Sequence, residues 1–490
     1  MLIVDWLYAL SIVLMALWGF NYLYFLGLAW RYRQPRPAPP SPAQWPRVLV
    51  QLPLFNEAQM VDRLIDTVVA LDYPADHLWI QVLDDSTDEC ALRARARVAY
   101  HRLRGVPIAY VHRVQRIGYK GGALAAGLAT AQAAGNPCEL VAVFDADFVP
   151  PADFLRRVAP WFSIHPRLGM AQARWEHLNA EQNWLTRAQA IVLDAFFSCD
   201  QVARDRGGLL MNFNGSAGVW RTAAIEAAGG WQGDTLAEDL DLSYRTHLAG
   251  WQMLYLPDVA VPAELPPSIM AFKQQQFRWA KGSFQVMVKL GPQLLRAPHL
   301  TLWQKAQGLL HMGGYFPHAL MALALVCSLP VVLGHGHNPL HWSVLSLAGL
   351  GLPLTALWGQ WRLRAHQRAH WAKRLVFYPV LFFVGIGLAV MNTRAILEAL
   401  LGTPTPFVRT PKFLGATQTM LLPIDWATWV ELLGAGYALA TALLAVEFAP
   451  ELVPFLVLYA LGLGFTAALG LWQSGVASER RRKWQVMNEE

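Results

Sequence analysis

Residues 140–148 read Leu-Val-Ala-Val-Phe-Asp-Ala-Asp-Phe, an apolar run that ends directly in two aspartates. Alternate residues of an extended chain point to the same side, so Asp145 and Asp147 can face one target. Two carboxylates this close repel each other unless a cation lies between them, and Mg²⁺ or Mn²⁺ binds carboxylate and diphosphate oxygens together. The alternative is a solvated turn, since aspartate is common in turns.

A second acidic strand end lies upstream, where residues 82–88 (VLDDSTD) place Asp84, Asp85 and Asp88 after another apolar run. This second cluster favours cation binding over a simple turn. Short apolar runs alternate here with helical patterns, which is typical of a mostly parallel, doubly wound α/β sheet. Such sheets bind ligands at the carboxyl ends of their strands. We expect strands at 48–52, 79–83, 108–112, 140–144 and 169–173, and helices at 57–71, 89–103, 122–134 and 152–161.

The composition indicates that part of the chain lies in a membrane. Of the 490 residues, 54% are hydrophobic and 15% are charged, against roughly 25% charged in a typical soluble domain. A disordered protein is excluded and a wholly soluble enzyme is disfavoured. The net charge of +6 is too small for this length to suggest nucleic acid. The four cysteines are far apart in sequence, which argues against a disulfide framework or a zinc ribbon.

Two apolar regions flank a central segment that holds most of the charged residues. Residues 6–30 carry no charge and are long enough to cross a hydrocarbon core of about 30 Å. Arg31, Arg33 and Arg36 follow, and the positive-inside rule places them in the cytosol. A second uncharged block, 306–361, is divided by a loop at 334–341 (GHGHNPLH) and predicts two spans. We interpret His335 and His337 in this loop as loop residues and not as a metal site.

Three further apolar stretches follow, at 375–393, 432–446 and 452–478. Basic residues cluster before these stretches, at 362–374, and after them, at 480–483. Both clusters can be cytosolic only if an even number of the three stretches crosses the membrane. We expect 375–393 to lie in the interface, although the charge rule alone does not choose between it and 432–446. The predicted organisation is a transmembrane helix (1–33), a Pro-rich linker (34–46), a cytosolic domain (47–283), and interfacial helices with a bundle of about four spans (284–490).

Three more motifs lie within the central segment. Residues 118–124 (GYKGGAL) place Lys120 near a helix start, where its charge suits a phosphate, although the spacing is not that of a Walker A loop. Residues 235–242 (TLAEDLDL) hold more acid than a helix cap needs, and an acid at a helix start can act as a general base. Residues 274–279 (QQQFRW) place amides and a guanidinium beside an aromatic ring, which suits sugar hydroxyls and phosphate. An ordinary helix face is the alternative for this last motif.

Taken in order, these motifs resemble those of membrane-embedded family-2 glycosyltransferases of the cellulose-synthase-like superfamily. The closest likeness is to mannan and glucomannan synthases and their bacterial relatives. The resemblance covers about residues 47–283 and implies a cytosolic GT-A-type, Rossmann-like α/β domain inserted into an α-helical transmembrane domain. The seven motifs in register are 51–57 (QLPLFNE), 83–88 (LDDSTD), 118–124 (GYKGGAL), 144–148 (FDADF), 213–221 (FNGSAGVWR), 237–242 (AEDLDL) and 275–279 (QQFRW).

The resemblance also implies a role for individual residues. Asp239 would be the general base of the catalytic pair that it forms with Glu238, although Ala237 stands where the family's motif has threonine. The metal ligands would be Asp145 and Asp147. The residues expected to bind the nucleotide sugar are Asn56, Glu57, Asp85, Lys120, Asp145 and Arg278. The residues expected to bind the acceptor are Gln275, Gln276, Trp279 and Ser216.

The implied activity is inverting transfer of a hexose from UDP-glucose or GDP-mannose, with Mg²⁺ or Mn²⁺, onto a growing polysaccharide. The product would be β-linked, with β-1,4 links expected, and the spans would form its path across the membrane. Residues 407–412 (FVRTPK) also resemble the gating loop of bacterial cellulose synthases, with Arg409 as a departure. The implied location is a bacterial inner membrane, with the catalytic domain in the cytosol. The alternative is a non-processive enzyme that adds one sugar to a lipid, as ceramide glucosyltransferases do.

Overall fold

The computed structural model describes residues 2–334, 347–364, 374–405 and 424–489. Two features discussed above lie outside the described residues. One is the greater part of the 334–341 loop, with His335 and His337, and the other is the 407–412 segment.

A seven-stranded mixed sheet forms the centre of the domain, in the order β3-β2-β1-β4-β6-β5-β7. Neighbouring strands run parallel, except that β6 is antiparallel to both β4 and β5. β1 and β4 are buried along their whole length, which explains why they contain almost continuous apolar residues. The strands are β1 (Val48–Leu54), β2 (Leu78–Asp84), β3 (Ile108–His112), β4 (Leu140–Val143), β5 (Leu168–His177), β6 (Gly218–Arg221) and β7 (Gln252–Ala263).

Helices cover both faces of the sheet, and longer apolar helices follow the domain. Those before and within the domain are α1 (Leu2–Arg31), α2 (Val61–Val69), α3 (Glu89–Leu103), α4 (Tyr119–Ala133), α5 (Phe154–Ile164), α6 (Trp184–Ala195), α7 (Gln201–Arg206), α8 (Thr222–Ala227), α9 (Glu238–Leu248) and α10 (Ile269–Arg296). Those that follow are α11 (Leu302–Met312), α12 (Phe316–Leu333), α13 (Gly351–Arg364), α14 (Tyr378–Leu400), α15 (Trp426–Phe448) and α16 (Val453–Glu489).

The five predicted strands and four predicted helices are all present, and two of them, β3 and α3, have the predicted bounds. The helix expected at 57–71 is shorter and covers Val61–Val69. The sequence reading missed β6 and β7. β6 has only four residues, and β7 contains Pro257 and Pro262, which weaken a strand pattern. The sheet is therefore mostly parallel, as expected, with one antiparallel strand inserted between β4 and β5.

Within the described residues, five helices are long and apolar enough to cross a membrane: Ile3–Arg31, Phe316–Leu333, Tyr378–Leu400, Trp426–Phe448 and Pro450–Gly475. The 306–361 block contributes one of them, because α13 has only 14 residues. Residues 335–346 of that block are not described, so its second span stays a prediction. Both 375–393 and 432–446 lie in helices of sufficient length.

α14 packs on the domain helix α10 and also on two of the other long helices, α12 and α16. α14 lies lengthwise along α10, which carries the 275–279 motif, and the two helices make contact in the same chain order. Three successive clusters join them: Val384 and Leu388 with Ile269 and Met270, then Met391 and Ala395 with Phe277 and Ala280, and last Ile396 and Ala399 with Phe284. α14 contacts α12 and α16 as closely as it contacts α10, so this packing does not choose between an interfacial and a spanning position for 375–393. Its position in a bilayer stays a prediction.

Candidate active site

The carboxyl ends of four neighbouring parallel strands meet at one edge of the sheet. β1 leads to Asn56, β2 to Asp85, β3 to Arg113 and β4 to Asp145. This is the edge at which open α/β sheets bind ligands. The structure therefore brings the sequence-predicted residues of three separate motifs together, and it adds Arg113, which the sequence reading missed. The signal was available, because Arg113 directly follows a predicted strand.

Lys120 joins the acids of two motifs. Its Nζ lies 2.6 Å from Oδ1 of Asp145 and 3.8 Å from Oε1 of Glu238, and it donates a hydrogen bond of 2.7 Å to the carbonyl oxygen of Gly215. Burial disfavours the charged ammonium, but the carboxylates of Asp145, Glu238 and Asp239 outweigh it and raise the pKa of Lys120. A fixed positive charge thus lies between the strand-end aspartate and the start of α9.

Asp239 is the most perturbed acid of this cluster. Its Oδ1 accepts a hydrogen bond of 2.8 Å from the backbone N–H of Leu240, and its side chain lines a large cavity. Burial and the neighbouring Glu238 raise the pKa of Asp239 to about 7, although Lys120 opposes the shift. A carboxyl group with this pKa can accept a proton near neutral pH, which is what a general base requires.

Arg278 of α10 interacts with the same acids. Its guanidinium interacts electrostatically with Glu238, Asp145, Asp239 and Glu57. Burial lowers its pKa, but a guanidinium remains protonated in proteins. Two fixed cations, Lys120 and Arg278, therefore surround a cluster of carboxylates, and this arrangement suits an anionic diphosphate.

Asp145 and Asp147, the two aspartates that follow β4, differ in exposure. The side chain of Asp145 is 33% exposed, whereas Asp147 is 2% exposed and its Oδ2 accepts a 3.2 Å hydrogen bond from the backbone N–H of Glu264. Among the described residues there is no group of three or more His, Cys, Asp or Glu side chains that could hold a metal ion. Mg²⁺ and Mn²⁺ often take one or two carboxylates and complete their shell with water and substrate phosphates. The donor set therefore fits a cation that arrives with a diphosphate.

The second acidic cluster serves two purposes. Asp84 accepts hydrogen bonds from Ser86 N (2.9 Å) and Tyr110 Oη (2.7 Å), and Asp88 caps α3. These two aspartates shape the turn. Asp85 instead accepts two hydrogen bonds from Arg113, of 2.8 and 2.6 Å.

Arg113 orders the loop that carries Lys120. Besides its bidentate bond to Asp85, its guanidinium donates to the carbonyl oxygens of Ile117 (3.0 Å) and Tyr119 (2.9 Å). One side chain therefore fixes both the β2 strand end and the start of α4. Asp85, the residue expected to contact the nucleotide, is held in position by this arginine.

Asn56 has a left-handed backbone conformation, with φ of 54°, which asparagine tolerates better than most residues. Its backbone N–H donates to Ser86 Oγ (2.8 Å), and its Oδ1 accepts from the Thr87 N–H (2.9 Å). Asn56 thus ties the ends of β1 and β2 together, and Glu57 follows it at the same edge and reaches Arg278 electrostatically. Their contact with a nucleotide stays a prediction.

Ser216 lies elsewhere than the other residues expected to bind the acceptor. It is fully buried, and its Oγ accepts a 2.9 Å hydrogen bond from the backbone N–H of Asp145. It is not among the residues that line the cavity. This placement favours a positioning role for Ser216, because it fixes the backbone of the strand-end aspartate.

A cavity of about 1080 Å³ extends from this cluster into the apolar helices. Asp239, Gln275, Gln276 and Trp279 line it on the domain side. The three α10 residues thus lie together beside the candidate base, as the 275–279 motif predicts. The cavity is also lined along α1, from Tyr8 to Phe25, and by residues of α12 and α16, among them Ala324 and Tyr459.

Further polar residues, which the sequence reading missed, line the cavity near Asp239. They include Asn212, Asn214 and His311. Asn214 is itself part of the quoted 213–221 motif, so its amide was a signal for a polar contact although no role was assigned to it. No such signal in the sequence points to His311. Its partner Tyr244, whose Oη lies 2.9 Å from Nδ1 of His311, comes close only because α9 packs on α11.

The fold and the site define the class. A mixed GT-A-type, Rossmann-like sheet with an Asp-Ala-Asp strand end, and a second acidic motif at the start of a helix, is the architecture of a nucleotide-sugar glycosyltransferase domain. Residues 46–282 match the family described as "Glycosyltransferase like family 2". This part of the chain belongs to glycosyltransferase family 2, and the resemblance noted from the motifs is confirmed.

Plant enzymes share the domain. The chain is 41% identical over 263 residues to glucomannan 4-beta-mannosyltransferase 1 of Oryza sativa subsp. japonica, covering 53% of this chain and 50% of that protein. It is also 41% identical over 265 residues to glucomannan 4-beta-mannosyltransferase 2 of Arabidopsis thaliana, covering 54% and 49%. The chain spans about half the length of the curated relatives it matches.

A solved structure has a similar fold. The mannosyltransferase PcManGT from Pyrobaculum calidifontis, in complex with GDP-Man and Mn²⁺, matches with a TM-score of 0.55 and 20% sequence identity. The match covers 81% of this chain and 100% of that chain, so it extends beyond the family 2 domain. Together with the apolar helices described above, the fold fits a membrane protein.

Proposed function

We propose that this protein is an inverting membrane glycosyltransferase that polymerises a hexose from a nucleotide sugar and feeds the β-1,4-linked chain across the membrane. The observation that carries the proposal is the cavity that connects Asp239 and Trp279 with the apolar helices. Its lining along α1 runs from Tyr8 to Phe25, which is about 26 Å of helix at about 1.5 Å per residue. That length approaches the roughly 30 Å of a hydrocarbon core.

The chemistry follows from the charges at the edge of the sheet. The acceptor hydroxyl oxygen attacks the anomeric carbon of the α-linked donor, its proton passes to Asp239, and the bond from carbon to diphosphate oxygen breaks. The nucleoside diphosphate leaves with the electron pair, and the single displacement gives a β-linked product. Lys120 and Arg278 stabilise the charge that develops on the diphosphate. Asp145 and Asp147 would hold the Mg²⁺ or Mn²⁺, which supplies further charge neutralisation when bound.

We also propose the identity of the sugar donor and the cellular location of the catalytic domain. The names of the plant relatives favour mannosyl transfer, with GDP-mannose as donor and UDP-glucose as the alternative. Arg31, Arg33 and Arg36 at the end of α1 support a cytosolic position for the domain. A bacterial inner membrane stays a prediction.

The direct test is nucleotide release by the purified protein in detergent, offered GDP- and UDP-sugars with Mn²⁺, with Mg²⁺ and with EDTA. Product length is analysed alongside. We expect a long polymer that β-mannanase or β-glucanase degrades, and loss of turnover in EDTA. A product that carries a single sugar on a lipid would instead assign the protein to glycolipid synthesis and contradict the proposal.

The pH dependence tests the role of Asp239. Because the base must be ionised to accept a proton, and the pKa of Asp239 is about 7, we expect kcat/KM to fall about tenfold for each pH unit below that value. An aspartate with the ordinary pKa of 3.8 would remain ionised down to about pH 5, so kcat/KM would not change over that range. The measurement is the initial rate of nucleotide release from pH 5 to pH 9. A flat profile over that range would contradict the assignment.

Blocking the cavity tests export of a polymer. Ala324 of α12 is 3% exposed and lines the cavity. We expect Ala324→Trp to shorten the product at least about tenfold, because an indole fills space that the chain needs, while the first transfer continues. Val326→Trp is the matched control, since Val326 lies on the same helix, is 66% exposed and is absent from the cavity lining. Equal product lengths in the two variants would exclude this path.

A further inference from the structure

α10 presents two different faces. At about 100° per residue, Gln275 and Trp279 lie about 200° and 240° around the helix from Lys273, whereas Lys281 lies within about 80° of it. Gln275 and Trp279 line the cavity. The two lysines occupy the opposite side, and both are fully buried, with exposures of 1% and 0%. Buried lysines are rare unless they are paired.

Lys273 is paired with the helix α15. Its Nζ lies 2.5 Å from Oε2 of Glu431, and the two side chains are 2% and 0% exposed. These residues are 158 positions apart in the sequence. The pair therefore joins the helix that carries the 275–279 motif to a helix long enough to cross the membrane.

Lys281 is paired with α14 and the residues that follow it. Its Nζ lies 2.7 Å from Oε2 of Glu398 and donates 2.8 Å to the carbonyl oxygen of Thr403. It also hydrogen-bonds to Thr405 Oγ1. Glu398 accepts a second charged bond, of 2.7 Å, from Arg394 Nε. The ammonium group of Lys281 thus has three hydrogen-bond partners. Lys281 lies about 12 Å along α10 from Lys273.

Burial of these charges needs a reason other than stability. Removing two ions from water costs several kcal/mol per ion, and well-packed apolar residues often serve stability equally well. The best-attested use of a buried ion pair is to select one register between elements. Two such pairs on one face of a helix fix both its rotation and its position along its axis, which a single contact cannot do.

The register of α10 matters because this helix also touches the candidate base. A Cβ added at Gly282 would lie 2.7 Å from Cβ of Ala237, so α10 and the start of α9 are in close contact. This contact also leaves little space for the threonine that the family's motif has at position 237. A shift of α10 would therefore move Trp279 and Arg278 relative to Asp239, and a misplacement of about 1 Å can cost about 100-fold in rate.

We propose that Lys273 and Lys281 are positioning residues, whose ion pairs with Glu431 and Glu398 hold the acceptor-binding face of α10 in register with the candidate base and the cavity. The sugar acceptor depends on them most, because Gln275, Gln276 and Trp279 all lie on α10, whereas Lys120 and Asp145, which would hold the donor diphosphate together with Arg278, lie outside it. This inference rests on the proposed function and adds the element that aligns its acceptor site with the membrane helices.

The test is to replace the first pair by apolar residues of similar volume, in the double variant Lys273→Met with Glu431→Met. We expect thermal stability to stay at the wild-type value and transfer at saturating acceptor to fall at least about tenfold. Nucleoside diphosphate binding should weaken much less than transfer, because Lys120 and Asp145 remain in place. Hydrolysis of the donor by water should persist, so the ratio of transfer to hydrolysis falls. The matched control is Arg36→Met with Asp205→Met, which removes an ion pair outside α10 whose carboxylate is buried and should leave that ratio unchanged.

The charge-swapped variant, Lys273→Glu with Glu431→Lys, keeps an ion pair and should transfer several times faster than the Met pair. If the Met pair does not fold, the swapped pair is compared with the wild-type protein, and a folded swapped pair whose transfer falls about tenfold or more overturns the proposal. Wild-type transfer by a folded Met pair, or transfer by the swapped pair no faster than that of the Met pair, would overturn the proposal. Failure of the proposed function is distinguishable, because the wild-type protein would then release no nucleotide from any sugar donor.

Discussion

Replacement of Asp239 by asparagine is expected to reduce sugar transfer by about 10³-fold or more, which lies within the range known for general acid–base catalysis. Asparagine keeps the shape of the side chain but cannot take the proton of the acceptor hydroxyl. The carboxylate oxygen that it replaces lies at the centre of the charge cluster, close to Gly215 and Lys120. Donor binding should change little, since Lys120, Asp145 and Arg278 remain.

The measurement combines initial rates of transfer with a binding isotherm for the nucleotide sugar. Asp234→Asn is the matched control, because Asp234 lies in the segment before α9 and its side chain is 57% exposed. Full transfer activity in Asp239→Asn would refute the assignment of the base. Loss of both transfer and donor binding would indicate that Asp239 contributes to the donor site instead.

Replacement of Gly215 by alanine is expected to reduce transfer by about 100-fold or more, because it displaces the base. Gly215 has a φ of +86°, and a Cβ added there would lie 2.9 Å from Oδ2 of Asp239 and 3.5 Å from Nζ of Lys120. The carbonyl oxygen of Gly215 also accepts the 2.7 Å hydrogen bond from Lys120. One methyl group therefore pushes against two members of the charge cluster at once.

Gly208→Ala separates this steric effect from backbone strain. Gly208 has a φ of +67°, but a Cβ added there would meet no atom within 4 Å. Both variants have the cost of a left-handed alanine, about 1–2 kcal/mol of stability, so their unfolding midpoints should shift alike. Only Gly215→Ala should lose transfer. Equal activities in the two variants would show that the space beside Asp239 is not needed.

Much of the domain could be predicted from local pattern. β1 and β4 are buried on both faces, so their residues are almost all apolar. The start of α3 is marked by its cap Asp88, and its end is where the helical pattern of apolar residues stops. The aspartates after β2 and β4 mark the ligand-binding edge because parallel strands end on the same side. β6 and β7 escaped detection, since a four-residue strand and a strand with two prolines carry little periodic signal.

Roles within a motif were less predictable than the motifs themselves. In the 83–88 segment, Asp88 bonds to the nearby backbone of Cys90, whereas Asp84 and Asp85 bond to Tyr110 and Arg113, 26 and 28 positions away. Ser216 belongs to a recognised motif, yet its hydroxyl bonds to the Asp145 backbone and does not line the cavity. A side chain's direction depends on neighbours that a short motif does not contain.

The sequence by itself determined the family 2 domain, the acids and cations of its site, and the apolar segments, because each is encoded in residues close together along the chain. Only the tertiary structure decided which charges meet. Lys273 and Glu431 approach to 2.5 Å across 158 positions, and α14 packs on α10 as well as on α12 and α16. The physical reason is that pairing of buried charges and packing of helices depend on distances through space, which local periodicity does not specify.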